Sequence, residues 1–169
     1  MGYDTDFFGE FTLDKPLSDA HAAYLRAFGD SRRMKRNMVA LVNVADPIRE
    51  AAGLPIGVEG EYFIGEKEFC RFDNTDVSII DPNRPPSTQH GLYCQWIPNE
   101  DGTEIEWDQS EKFYNYIEWI EYIIDNFLKP WGYVLNGEVT WEGSESGDLG
   151  KIVVDDNTVV VLQGTIHYE

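Results

Sequence analysis

Leu92-Tyr93-Cys94-Gln95-Trp96-Ile97, Pro98-Asn99-Glu100-Asp101-Gly102 and Thr103-Glu104-Ile105-Glu106-Trp107 follow one another without a break. Leu92, Cys94 and Trp96 alternate with Tyr93, Gln95 and Ile97, and Ile105 and Trp107 alternate with Glu104 and Glu106. This period of two, interrupted by a Pro-Asn-Gly cluster, predicts a β-hairpin with one apolar and one charged face. Immediately after it the period changes. Phe113, Tyr116, Ile117, Ile120, Ile123, Ile124, Phe127 and Leu128 recur every three or four residues, which predicts a long helix from about Ser110 to Leu128. Asp108 and Glu111 stand at capping-box spacing, and Pro130 and Gly132 supply the stop. Tyr133, Leu135, Val139 and Trp141 then return to alternation as a strand.

Nearer the start of the chain, Phe7, Gly9, Phe11 and Leu13 fall on one face of an opening strand. Ser18 caps a helix that buries Leu25 and Phe28 and ends at Gly29. A short helix is expected around Pro47 to Ala52, a short strand at Glu61–Gly65, and a long surface connection from Arg71 to Gln89. Lys151–Val154 and Thr158–Leu162 form a last hairpin about the turn Asp155-Asp156-Asn157. Helices separated by pairs of strands favour α+β over a parallel α/β sheet. The expected fold is one α+β domain over residues 1–169, a mostly antiparallel sheet with the two main helices on one face. It is a variant of the split β-α-β arrangement of ferredoxin-like folds with an extra C-terminal hairpin.

The 169 residues include 31 Asp and Glu against 13 Lys and Arg, a net charge of −18, with 42% hydrophobic and 14% aromatic residues. Such a chain can bury a core unaided and is not expected to be disordered. Its acidity argues against direct binding to nucleic acid or an anionic membrane, both polyanions. No apolar run approaches the ~20 residues of a membrane-spanning helix and the start does not resemble a signal peptide, so a soluble, intracellular protein is expected. Cys70 and Cys94 are read as ordinary reduced thiols, and the histidines stand in no ligand spacing with them, so neither metal nor cofactor is expected. Asp155-Asp156-Asn157 lacks the rest of a calcium loop. No nucleophile elbow, dinucleotide fingerprint or phosphate-binding loop occurs.

The charge is unevenly placed. Residues 98–169 hold sixteen acids against three bases, whereas residues 25–50 hold six bases against three acids. The run Arg32-Arg33-Met34-Lys35-Arg36 reads as internally paired in so acidic a chain, with an acidic partner or phosphate as the alternative. Candidates for an anionic binding face are Glu104 and Glu106 on the hairpin, Glu118, Glu121 and Asp125 on the helix, and Glu142, Glu145 and Asp148 in a loop. Glu104 and Glu106 would lie about 7 Å apart on one strand face. A two-carboxylate or cation site is the alternative to a solvated face there. Tyr114 and Tyr122 lie by the helical acids and Trp119 just off the centre of the buried stripe, an arrangement in which aromatics anchor and charges steer a protein partner. Trp96, Trp107, Trp131 and Trp141 read as core.

From Gly91 to Gly143, Gly-Leu-Tyr-Cys-Gln-Trp, Glu-Asp-Gly-Thr-Glu-Ile-Glu-Trp-Asp, Glu-Lys-Phe-Tyr-Asn-Tyr and Phe-Leu-Lys-Pro-Trp-Gly-Tyr-Val-Leu-Asn-Gly-Glu-Val-Thr-Trp-Glu-Gly resemble a group of small proteins of bacteriophages, prophages and bacteria. Tyr3-Asp4-Thr5 and Leu13-Asp14-Lys15-Pro16-Leu17 are similar too. The resemblance implies a phage or mobile-element setting, and with it a cytoplasmic location in a bacterial host cell, and brings no catalytic residue with it.

The leading expectation is a non-enzymatic binding protein that docks its anionic face on a basic, nucleic-acid-binding protein as a nucleic-acid mimic or inhibitor. A compact chain of this size spans about 40 Å, a length over which duplex DNA carries about 24 charges. Mimicry therefore requires the acids to gather on one face. The alternatives are a small enzyme or ligand-binding protein with a pocket between sheet and long helix, and a structural or assembly component. The oligomeric state is left open by sequence.

Overall fold

The computed structural model describes residues 2–65 and 76–169. In chain order the elements are β1 (Thr5–Leu13), α1 (Asp19–Asp30), β2 (Lys35–Arg36), α2 (Met38–Leu41), α3 (Pro47–Ala51), β3 (Ile79–Asp81), β4 (Trp96–Pro98), β5 (Glu104–Trp107), α4 (Tyr116–Ile123), α5 (Lys129–Trp131), β6 (Leu135–Gly143), β7 (Leu149–Asp155) and β8 (Thr158–Gln163). A 3-10 turn spans Val58–Gly60, and a π-helical turn at Ile124–Leu128 joins α4 to α5. The fold is α+β with a mostly antiparallel six-stranded sheet, as the alternation of periods predicts. The chain divides into two compact units, Met1–Leu17 with Gln95–Glu169, and Ser18–Cys94.

In the first unit the sheet runs β4-β5-β1-β6-β7-β8, and every neighbouring pair is antiparallel. Because side chains alternate across a strand, the register fixes two faces. Phe7, Phe11, Leu13, Trp96, Ile105, Leu135, Val139, Trp141, Ile152 and Val154 turn inward and are buried. Aromatic rings fill the centre of that face. The Phe7 ring lies 5.3 Å from Trp96, 5.7 Å from Phe113 and 4.9 Å from Tyr116. Trp96 Nε1–H donates to the Tyr116 carbonyl at 2.8 Å, tying β4 to the start of α4. The buried rings Phe7, Trp96 and Phe113 each stabilise by about 1.5–3 kcal/mol through burial, with about 0.5–1.5 kcal/mol more for a well-oriented pair.

The long helix begins later than its sequence predicts, at Tyr116 rather than near Ser110. Gln109 (φ 70°), Lys112 (φ 59°) and Asn115 (φ 57°) take left-handed conformations that cannot continue a helix. Asp108 does not form a capping box; its Oδ1 accepts from the Ser110 N–H at 2.8 Å instead. Pro130 does not stop the helix either. It lacks the N–H that the Asn126 carbonyl would receive, and the widened π turn just before it absorbs the gap. Gly132 (φ 85°) ends the run. Tyr122, expected beside the acidic stripe, is buried with Trp119, whereas Tyr114 is exposed.

The two hairpins form with different extents. The first keeps only β4 and β5 as strand, with Trp96 opposite Trp107. The second is complete, and Asp156 (φ 46°) and Asn157 (φ 68°) make the two-residue left-handed turn that suits a twisted hairpin.

In the second unit Ser18 caps α1 by accepting from the His21 N–H at 3.2 Å. The helix passes Gly29 to end at Asp30, with Tyr24, Leu25 and Phe28 buried. The Glu61–Gly65 segment is irregular rather than the expected strand. The N–H groups of Ile64 and Gly65 donate to the buried Asp46 carboxylate, which also holds Arg49 at 2.6 Å, so they are unavailable to a ladder. Part of the expected surface connection forms β3, which pairs with β2; its residues 71–75 and Cys70 lie outside the described residues. Cys94 is a buried thiol.

Gly137 sits in β6 at φ 135°, where an added Cβ would come within 2.9 Å of the Glu10 carbonyl oxygen on β1. Gly137→Ala is therefore expected to destabilise the sheet by about 1–3 kcal/mol, read as a lowered midpoint of urea unfolding at unchanged slope.

Candidate anionic docking face

The alternation that buries Phe7 and Phe11 turns Asp6, Phe8, Glu10 and Thr12 to the other side of β1. Across the ladder Asp6 faces Glu142, Phe8 faces Thr140 and Glu10 faces Glu138. On the other flank Thr12 faces Glu104, which puts Glu104 and Glu106 on the same outer face. β7 adds Lys151, opposite Thr140, and β8 adds Leu162, opposite Lys151. Lys151 is the one base among the strand residues of this face, and its Nζ lies 3.1 Å from Glu138.

Two pairs of carboxylates thus face each other directly, Asp6 with Glu142 and Glu10 with Glu138, on either side of Phe8. Like charges placed opposite on a sheet are destabilising by roughly 0.2–1 kcal/mol. Lys151 relieves one pair. Beside the carboxylates Phe8, Leu149, Leu162 and Ile166 line an open groove of about 610 Å³. Phe8 is 57% exposed and Leu162 51%. The face therefore combines apolar contact area with a carboxylate rim. It suits capture of a cationic and partly apolar surface.

The acids singled out by sequence do not all meet here. Glu104, Glu106 and Glu142 share the outer face. Glu118, Glu121 and Asp125 lie exposed on the α4–α5 helical run, whose buried side includes Trp119, Ile120, Ile123 and Phe127. Asp125 is engaged by Lys129 at 3.0 Å. Glu145 and Asp148 belong to the β6–β7 connection. Asp148 accepts from the Tyr3 hydroxyl at 2.6 Å and from Trp141 Nε1–H at 3.0 Å, so both its oxygens serve the fold. The hydrogen bond to Asp148 raises the Tyr3 hydroxyl above its ordinary pKa. Burial, reinforced by the charge of Asp148, pushes Tyr116 up to about 12. Asp6, Glu10 and Glu138 complete the outer face and were not singled out from sequence. The alternation of Asp6-Phe7-Phe8-Gly9-Glu10-Phe11 was the signal that places two of them.

The basic run is consumed internally. Arg33 is buried and donates to Ser31 Oγ and to the carbonyls of Glu61 and Phe63 at 2.6–2.9 Å. Arg36 is buried against Asp76 at 2.8 Å and Ser78 Oγ at 2.7 Å. Arg32 donates to the Pro82 carbonyl, and Lys35 pairs with Glu59 at 3.0 Å. The pairing and hydroxyl contacts outweigh burial at Asp76 and hold its carboxyl below the usual range. Among the described residues no cluster of His, Cys, Asp and Glu is arranged to hold a metal ion. No helix among them is long and apolar enough to cross a membrane. No family model, curated relative or solved structure matches the chain.

Two outcomes follow from these electrostatics. Glu142→Gln is expected to raise stability by about 0.2–1 kcal/mol by relieving its repulsion with Asp6, read as a higher thermal midpoint at low salt. Glu59 is lowered from 4.5 to about 2 by the N–H and hydroxyl of Ser87, aided by Lys35. Its contribution is complete above pH 4.5 and lost as pH falls through about 2. Glu59→Gln should therefore lower the melting temperature at pH 6, with the difference from the parent vanishing near pH 2.

Proposed function

We propose that this chain is a non-enzymatic acidic binding protein that docks the outer face of its sheet on a basic, nucleic-acid-binding protein as a nucleic-acid mimic or inhibitor. The observation that carries the reading is the pair of opposed carboxylate pairs bracketing Phe8. A solvated sheet face gains nothing from holding like charges opposite each other, whereas a cationic partner converts that repulsion into attraction on binding. Glu104 and Glu106 extend the same field along the sheet. The helical acids Glu118, Glu121 and Asp125 serve long-range steering. The resemblance to small phage and prophage proteins supports action inside a bacterial host cell, on a host protein that handles nucleic acid.

The fold is read more finely as a ferredoxin-like variant. The order β6-β1-β5-β4, with the α1-bearing segment between β1 and β4 and α4 between β5 and β6, supports the split β-α-β scheme, to which the β7–β8 hairpin is an addition.

The test is capture from a bacterial host lysate at low and at high salt, with the partner identified by mass spectrometry. The expected partner is a DNA- or RNA-binding protein released by high salt and displaced by duplex DNA. Combined Glu10→Lys, Glu138→Lys and Glu142→Lys should weaken the complex by more than about 100-fold, at roughly 1 kcal/mol per site. Glu118→Lys with Glu121→Lys should chiefly slow association. A salt-insensitive complex, or one that survives the outer-face reversal, overturns the reading.

A further inference from the structure

The outermost strand of the sheet ends in an uncapped hydrogen-bonding edge. The Gly164 N–H donates to the Leu149 carbonyl at 2.8 Å, and Gly150 to Asp155 pair with Gln163 to Thr158 in unbroken register. In an antiparallel ladder, residues that exchange both bonds alternate with residues that exchange none. Gly164, Leu162, Val160 and Thr158 thus bond toward β7, while Val159, Val161 and Gln163 direct their N–H and C=O groups away from it. Among the described residues β8 has no ladder neighbour on that side. After Gly164 the chain leaves the edge, for Ile166 lines the groove beside Phe8 and Leu149.

Exposed edges are ordinarily blunted by charge, proline or shortness. The opposite edge follows that rule, since β4 has three residues and ends in Pro98. β8 breaks it with Thr158-Val159-Val160-Val161-Leu162-Gln163, in which Val160, Val161 and Leu162 are 42–51% exposed. From Asn157 to Ile166 there is no Asp, Glu, Lys or Arg, in a chain of net charge −18. An edge evolved to receive a basic strand would carry acids here. A neutral one is where two equally anionic molecules can meet.

We propose that two copies of this chain pair through β8, antiparallel about a two-fold axis at Val161, to make one continuous sheet. The outward-bonding residues are symmetric about that point. Val161 faces Val161 of the second copy, and Val159 faces its Gln163, each pair exchanging two N–H···O=C bonds. On the outer face Val160 meets Leu162 of the second copy, closing over the apolar surface. This is an isologous contact, which closes at two copies rather than propagating. It is small by the standards of stable interfaces, so the dimer dissociates on dilution. The contact shares Leu162 with the docking face but does not rest on the docking function, and salt separates the two. Screening weakens the attraction to a basic partner but strengthens contact between like-charged copies.

The test is sedimentation equilibrium of the full chain from micromolar to submillimolar concentration, at low and high salt. The expected result is a monomer–dimer equilibrium approaching twice the 19.4 kDa of the chain, shifted toward dimer by salt. Val161→Lys, at a half-exposed site where like charges would face each other, should give a monomer with an unchanged circular dichroism spectrum. Amide exchange needs no variant, and the N–H groups of Val159, Val161 and Gln163 should gain protection as concentration rises. A monomer throughout overturns the proposal. So does a dimer that survives Val161→Lys, or one in which those amides exchange at a rate independent of concentration.

Discussion

Everything in the first unit depends on the ladder between β1 and β6. These two nine-residue strands pair along their whole length, from Thr5 with Gly143 to Leu13 with Leu135. The ladder sits at the middle of the sheet and sets which side chains form the core. A slip of one residue along β1 would send Phe7, Phe11 and Leu13 to solvent and draw Asp6, Phe8 and Glu10 into the aromatic cluster. Burying those carboxylates unpaired would cost several kcal/mol apiece. The acids of the outer face are therefore more than a candidate docking surface. They are the penalty that keeps the strand in register, and the same alternation produces both the core and the anionic face.

The aromatic cluster makes that register pay structurally at the other end. Phe7 meets Trp96, Phe113 and Tyr116, which belong to β4, to the loop after β5 and to α4. With Trp107 of β5, whose ring lies 5.3 Å away, one inward residue of β1 thus contacts four segments that arrive much later in the chain. The left-handed residues at Gln109, Lys112 and Asn115 allow the loop to deliver Phe113 before the helix begins. Their conformational cost is set against complete burial of that ring.

Much of the fold was legible because its periods are clean. β1, β6, the β7–β8 hairpin and the Ser18 cap follow directly from alternation and capping chemistry. The start of α4 was not legible, because Asp108 and Glu111 offer a good capping spacing that the left-handed backbone nearby overrides. Nor was the irregular path of Glu61–Gly65, whose N–H groups are claimed by Asp46 from far away in sequence. For the candidate face, sequence reading weighted acid density and so favoured residues 98–169. What gathers carboxylates is cross-strand register, and that recruits Asp6 and Glu10 from the opening strand while leaving Glu118 and Glu121 on a helix. Asp148 illustrates the converse: an acid in a loop that looks solvated and is held by Tyr3 and Trp141.

The first unit is discontinuous, and this has a consequence for synthesis. Phe8 and Thr140, which touch across the central ladder, are separated by 132 positions. At roughly 5–20 residues per second, β1 emerges from the ribosome about 7–26 seconds before its principal partner exists. The interposed segment Ser18–Cys94 is continuous and is complete well before then. The opening strand must wait, amphipathic and without a ladder, while the middle of the chain is made. In that interval its alternating Asp6 and Glu10 act as gatekeepers that discourage Phe7, Phe8 and Phe11 from joining a neighbouring nascent chain.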